Sequence, residues 1–197
     1  MIPSNFIYIG VLLQFVGGVN YLIDTIKGNV KPNRVSWLLW TVFPLIVFYA
    51  QIKQGVGNEA LATFIVGFTT LLIFLASFVN KKSVWKIQKL DIVCGILSVL
   101  GIILWMVTKV GNVAIVFSIL ADSLASIPTI VKSWNSPESE STPVYFLGII
   151  NVIIGLLVIK SWNFENYAFL VYILTLNSIF CILIQFKVGK LLHTSRK

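Results

Sequence analysis

Seven apolar blocks fill most of this 197-residue chain, at about residues 5–26, 35–52, 60–79, 91–108, 113–131, 143–159 and 167–186. Each is close to the ~20 residues a helix needs to cross a hydrocarbon core of ~30 Å. A backbone in lipid must satisfy its own N–H and C=O groups, and for blocks of this length the helix is the structure that does so. The fold class expected is therefore an all-α polytopic membrane protein with seven transmembrane helices. The second and sixth blocks are short and are expected to cross with little tilt. The chain is 57% hydrophobic and only 11% charged, against about 25% charged in soluble domains. That leaves too little polar surface to coat a water-soluble body of this size. MIPSNF lacks the positive n-region of a cleavable signal, so the first block is expected to be a helix of the mature protein.

The net charge is +8. A basic balance can mark a nucleic-acid binder, but no basic, aromatic-interleaved stripe stands clear of the membrane-flanking loops, so no nucleic acid is expected. Lys and Arg number 3, 4, 1 and 4 in the loops after blocks 1, 3 and 5 and in the C-terminal tail, 12 in all; the N-terminus and the other three loops hold 3. Positive charge marks the cytoplasmic side, which predicts an outside N-terminus and a cytoplasmic C-terminus. Trp37, Trp85, Trp105, Trp134 and Trp162 fall near the predicted interfaces, where indoles are favoured. Cys94 and Cys181 lie inside blocks without metal-ligand spacing and are expected to pack as small apolar residues. His193 is alone in the polar tail. No metal and no cofactor is expected.

The blocks show an internal repeat. Thr25-Ile26-Lys27 matches Ile130-Val131-Lys132 at an offset of 105, Ile52-Lys53 matches Ile159-Lys160 at 107, and Asn58-Glu59-Ala60 matches Asn166-Tyr167-Ala168 at 108. The offset grows across loops, where insertions are tolerated. The plan is two parallel three-helix repeats joined by a linker helix (3+1+3): residues 1–80, a linker region 81–110 with its helix at about 91–108, residues 111–187, and a tail over 188–197. An odd linker keeps both halves the same way up, related about an axis along the membrane normal, and such pairs commonly enclose a solute site near the midplane.

Three polar residues then fall at mid-block: Asp122, Asn151 and Asn177, with first-repeat counterparts near Gly17, Pro44 and Thr69. Each is costly in lipid and should face inward. Asp122 is the sharpest, because a carboxylate at that depth must be paired, solvated or protonated. It is a candidate for proton coupling or for holding a substrate hydroxyl or amine; the alternative is a helix–helix hydrogen bond. Ser118 and Thr129 extend its polar stripe. Asn151 and Asn177 both donate and accept, which suits a polyhydroxyl or zwitterionic solute, or a bond between helices. Asn20 and Gln14 are weaker versions of the same case, and Asp24 is expected to pair with Lys27 at the interface. Pro44 and Pro128 lie within blocks and are candidate hinges for gates, or static kinks. Trp40 and Tyr49 flank Pro44 and would stack on a substrate or pack.

The segment ADSLASIPTIVKSWNSPESESTPVYFLGIINVIIGLL resembles the PQ-loop/SWEET superfamily of seven-helix membrane proteins, which includes sugar-transporting SWEETs, lysosomal amino-acid exporters and the KDEL receptor. The matching features are Pro128, Lys132, a Ser-rich loop ending in Ser141-Thr142-Pro143, and the apolar run that follows. The 3+1+3 plan and the topology match SWEETs in outline, and Asn177 stands where SWEETs carry a substrate-contacting Asn. Thr129 replaces the Gln of the PQ pair, Ile23-Asp24 stands where the first repeat would carry Pro-Gln, and Thr69 replaces a second Asn, so this is a divergent member. The resemblance implies a transporter of a small polar solute (sugar, amino acid or similar metabolite) by alternating access, and Asp122 looks more like the proton-coupled members. The alternative is a non-transporting receptor or scaffold of the same fold. No nucleophile–base pair or phosphate loop suggests an enzyme, and 167–186 lacks a lysine for a retinal Schiff base. The partners expected are a small-molecule solute and the lipid bilayer, with a homo-oligomer left open.

Overall fold

A computed structural model describes residues 2–83, 85–108 and 111–194. The side chains of Trp105 and His193 lie outside the described residues. The described chain is all helical: α1 (Ile7–Lys27), α2 (Arg34–Lys53), α3 (Ala60–Ala76), α4 (Lys89–Thr108), α5 (Gly111–Asn135), α6 (Pro143–Val158), α7 (Phe164–Gln185) and a short α8 (Val188–Thr194). Single 3₁₀ turns precede α1, precede α4 and precede α6. Four stretches are long and apolar enough to cross a membrane: Ser4–Lys27, Arg34–Lys53, Asn112–Asn135 and Phe164–Gln185. Ala60–Ala76 and Pro143–Val158 are shorter apolar helices.

The ends of the helices follow from local chemistry. Gly28 ends α1 in the left-handed region at φ 83°, where a side chain would be strained. Asn33 caps α2, its side chain accepting from the N–H groups of Val35 and Ser36. Pro143 occupies the first turn of α6, where its missing N–H costs nothing. The apolar block expected over 60–79 stops as a helix at Ala76: the N–H groups of Phe78 and Val79 bond three residues back, to Leu75 and Ala76, and Arg34 takes the Ser77 carbonyl at 2.6 Å and the Ser77 hydroxyl at 3.2 Å. The short helices are thus α3 and α6, while α2 has 20 residues.

In space α3 lies between α1 and α2, and α7 between α5 and α6; α1 packs on α6, α2 packs on α5, and α4 rests on the outside of α5 and α2. Close approach is allowed where side chains are small. A Cβ on Gly17 would sit 3.1 Å from the Pro143 carbonyl and the Val144 Cα, so α1 and α6 nearly touch there. The loops after α1, α3 and α5 gather at one end: Asn80 Nδ2 donates to the Ile26 carbonyl, Lys31 N to the Ser139 carbonyl, and Lys190 pairs with Glu138. We call this the basic end. The opposite end is tied by Ile2 N to the Leu157 carbonyl and by Gln51 Nε2 to the Glu165 carbonyl.

Outward surfaces are apolar. Ile92, Ile96, Val99 and Ile103 form an exposed stripe along α4 at helical spacing, while Asp91, Cys94 and Ser98 on the other face are buried. Tyr8, Leu12, Phe15, Ile23 and Ile26 are exposed on α1. Contiguous apolar surface on this scale is a liability in water. It is what an integral membrane protein turns toward lipid.

Candidate functional site

α2 brings Trp37, Trp40 and Pro44 to one face at spacings of three and four, and α7 brings Ile173, Leu176, Asn177 and Phe180 to one face in the same way. These faces meet Gln14 of α1, Val66 and Thr70 of α3, Asp122 of α5, and Val144 and Tyr145 of α6 around an internal cavity of about 40 Å³. That is room for one or a few waters. All six of these helices contribute to it. The cavity runs from the level of Asp122, halfway along α5, toward the basic end, where an aromatic cluster closes it.

Asp122 is 1% exposed. Its Oδ2 accepts from the Tyr172 hydroxyl at 2.6 Å, and its Oδ1 has no hydrogen-bond partner among the described residues. Among the described residues no lysine or arginine lines the cavity. The nearest basic residue along α5 is Lys132, ten residues and about 15 Å further on by helix rise. Gln14 donates from Nε2 to the Thr69 hydroxyl at 3.4 Å and leaves its Oε1 unpartnered; the Trp37 indole N–H is also unpartnered. Asn177 makes no hydrogen bond among the described residues and stands over Gly148, whose absent side chain makes space for it. The cavity therefore offers two free acceptors, one free indole donor and one free amide against an otherwise apolar wall.

The aromatic cluster is continuous. Tyr21 and Trp37 lie 4.6 Å apart, Trp37 and Trp40 meet at 5.3 Å and 74°, Trp40 and Phe180 at 5.5 Å and 73°, and Tyr145 stacks on Phe180 at 4.7 Å. The Trp40 indole N–H donates to the Ser126 hydroxyl at 3.0 Å, which fixes one wall. Beyond the cluster Glu140 and Lys132 form a fully buried ion pair. Glu140 Oε2 also accepts from Tyr21 at 2.7 Å and from Tyr145 at 2.9 Å, and Lys132 donates to the Lys31 carbonyl. This set joins α1, the loop after it, α5, the loop after that and α6, so it seals the cavity at the basic end. The other end is closed by apolar packing of Ile7, Val47, Ala62, Val152 and Phe169.

Pro44 and Pro128 are both buried within unbroken helices. Pro44 cannot donate to the carbonyl of Trp40 one turn back. That carbonyl instead accepts from the Thr70 hydroxyl of α3 at 2.8 Å. Beside Pro128 the Ala125 carbonyl accepts from Ser36 of α2 at 2.7 Å, and Thr129 donates to the same Ser36 hydroxyl at 3.0 Å. Each proline turn is thus held by a neighbouring helix.

Of the residues the sequence singles out, Asp122, Asn177, Trp40, Pro44 and Gln14 come together at the cavity. Asn151 does not. It sits one turn past Gly148 on α6, fully buried, donating to the Ala62 carbonyl at 3.1 Å, and it locks α6 to α3. Asn20 is exposed on the outer side of α1. Gln14 and Asn20 are six residues apart, which turns them about 120° from each other around the helix, so both cannot face inward. Tyr49 is exposed and turned away from the cavity. Asp24 accepts from Asn29 at 3.2 Å and Ser141 at 3.1 Å and forms no ion pair with Lys27 among the described residues. Trp37, the fourth residue of α2, is 1% exposed and lines the cavity rather than facing outward. Ser118 is buried on α5. Lys132, counted above among the loop lysines, is the last-turn residue of a longer helix and is buried.

Sequence reasoning passed over Tyr145, Phe180, Tyr172 and Glu140. The three-and-four spacing of Trp37, Trp40 and Pro44 was a usable signal for the cavity face of α2. Glu140 in a Ser-rich loop carried none. No family model, curated protein or solved structure matches the chain.

Proposed function

We propose that the protein is a membrane transporter of a small polar solute that works by alternating access, with Asp122 in its binding site and the capacity to couple transport to protons. The observation that carries this reading is the cavity where six helices converge, with a buried carboxylate oxygen that has no partner. A purely structural carboxylate would be expected to have both oxygens satisfied.

The neighbour relations support a two-repeat plan of the PQ-loop kind, 3+1+3, with α1–α3 and α5–α7 as repeats and α4 as linker. Exchanging α1 with α5, α2 with α6 and α3 with α7 maps the contact of α1 on α6 onto that of α5 on α2, and the central place of α3 onto that of α7. The cavity lies across the axis of that exchange. With the basic end in the cytoplasm by its charge, the N-terminus is outside. The Glu140–Lys132 set is then the inner gate, shut in this form, and Pro44 and Pro128 lie in the helices that must move to open it. This reading requires no chemical conversion of the solute.

Uptake of labelled sugars, amino acids and small amines into proteoliposomes tests the proposal, with wild type and Asp122→Asn in parallel at several pH values. Saturable uptake that changes with the proton gradient in wild type and loses that dependence in Asp122→Asn is expected. Absence of uptake for every class would move the reading to a receptor or scaffold of the same fold.

A further inference from the structure

We infer that the cavity, which in this sealed form has room for one or a few waters, widens as the basic end opens to select a small organic cation, a protonated or quaternary amine, held between the free oxygen of Asp122 and the walls formed by Trp37, Trp40, Tyr145 and Phe180. This rests on the solute-binding reading above and narrows it.

Charge comes first. Among the described residues the cavity contains one carboxylate and no basic side chain, and the nearest lysine on α5 is paired with Glu140. An anion would meet the Asp122 carboxyl with no cation beside it to offset the repulsion whenever that group is ionised, which disfavours carboxylates and phosphates as ligands. A cation gives the Asp122 oxygen the partner it lacks.

The walls come second. Trp37, Trp40 and Phe180 turn a corner, with interplanar angles of 74° and 73°, and Tyr145 lies stacked beside Phe180. Aromatic rings attract a desolvated cation through their quadrupoles, tryptophan most strongly, and aromatic enclosures are the usual means of holding a quaternary ammonium. A sugar would need a hydrogen-bond partner for each hydroxyl. The Thr70 hydroxyl is committed to the Trp40 carbonyl and to its own helix, and the Trp40 N–H to Ser126. What remains is a few polar atoms on an apolar wall, matched to a solute with one charged head and little other polarity.

The test is binding to the purified full-length protein, measured by calorimetry and by tryptophan fluorescence. The probes are choline, tetramethylammonium and N-methylpyridinium, with 3,3-dimethyl-1-butanol (the neutral isostere of choline), glucose and alanine as comparisons. Choline is expected to bind roughly tenfold or more tightly than its neutral isostere. Asp122→Asn should bring the two close to parity, and Trp40→Leu should weaken choline more than the isostere. Equal or weaker binding of choline in wild type overturns the inference even where a variant fails to fold, as does the absence of binding by all three cations. Uptake of glucose or alanine without cation binding would leave the transporter reading standing and remove this one. Cation binding without uptake of any probe would keep this one and remove transport.

Discussion

Removing the charge of Glu140 should open the basic end of the protein. Glu140→Gln leaves Lys132, 1% exposed, without its contacting counter-ion; the Lys31 carbonyl, the Trp85 ring 5.1 Å away, the more distant Asp91 carboxylate and the neutral amide of the substituted side chain remain around its ammonium. Breaking a buried pair by neutralising one partner costs about 3–5 kcal/mol, because the other charge is stranded. At about 1.36 kcal/mol per decade, that is a shift of roughly two to four powers of ten against the sealed form. The strain is relieved when the end opens and Lys132 reaches water, so the protein should stay folded and change its resting state. Val144→Cys, made in a background with Cys94 and Cys181 replaced by alanine, reports this by its rate of modification with a membrane-impermeant thiol reagent. Glu140→Gln should raise that rate by roughly a hundredfold or more. Lys132→Met combined with Glu140→Gln should restore most of the protection, since no charge is left stranded. Equal labelling rates in the wild type and the single variant would refute the seal. So would additive effects of the two substitutions.

Three further outcomes follow from the geometry. Gly148→Ala places a Cβ 2.5 Å from Asn177 Nδ2 and 2.8 Å from Gln14 Oε1; both are ends of flexible side chains, so about 1–3 kcal/mol of overpacking is expected, with solute uptake lost while the melting profile in detergent stays cooperative. Thr70→Val strands the Trp40 carbonyl and should destabilise by about 1–3 kcal/mol in a denaturant titration; adding Pro44→Ala, which returns a helical N–H to that carbonyl, should recover much of the loss. At the surface, the hydrogen bond from Lys190 holds the Glu138 carboxyl below the usual glutamate range. The contact that docks α8 is therefore complete above the ordinary glutamate value and fades as pH falls through the lowered one, so limited proteolysis of the tail should accelerate only at acid pH and at all pH values in Glu138→Gln.

The helices were legible in the sequence because hydropathy reports directly on where a chain can be apolar for a full span. The predicted blocks start and end within a few residues of α1, α2, α4, α6 and α7. The failures have one cause: hydropathy does not distinguish lipid from protein interior, so it does not say which way a side chain turns. That is why Asn20 reads as inward although it is exposed. Asn151 and Asn177 look alike in sequence, and only the positions of Ala62 and Gly148 across the bundle give them different roles. Lys132 and Glu140 look like loop charges because the last turn of α5 is polar. Their burial depends on Tyr21 and Tyr145 arriving from helices distant in sequence. Asp122 stood out correctly as a buried acid, since no arrangement of helices makes a carboxylate at that depth inexpensive.

The most direct test of the account is whether the cavity faces both sides of the membrane in turn. Asn177→Cys, with Cys94 and Cys181 replaced by alanine, would be labelled in oriented vesicles by an impermeant thiol reagent added to one face and then, in separate samples, to the other. Labelling from both faces is predicted, with Glu140→Gln favouring the face that carries the basic end. Labelling from one face only, or from neither, in both proteins would contradict alternating access around this site.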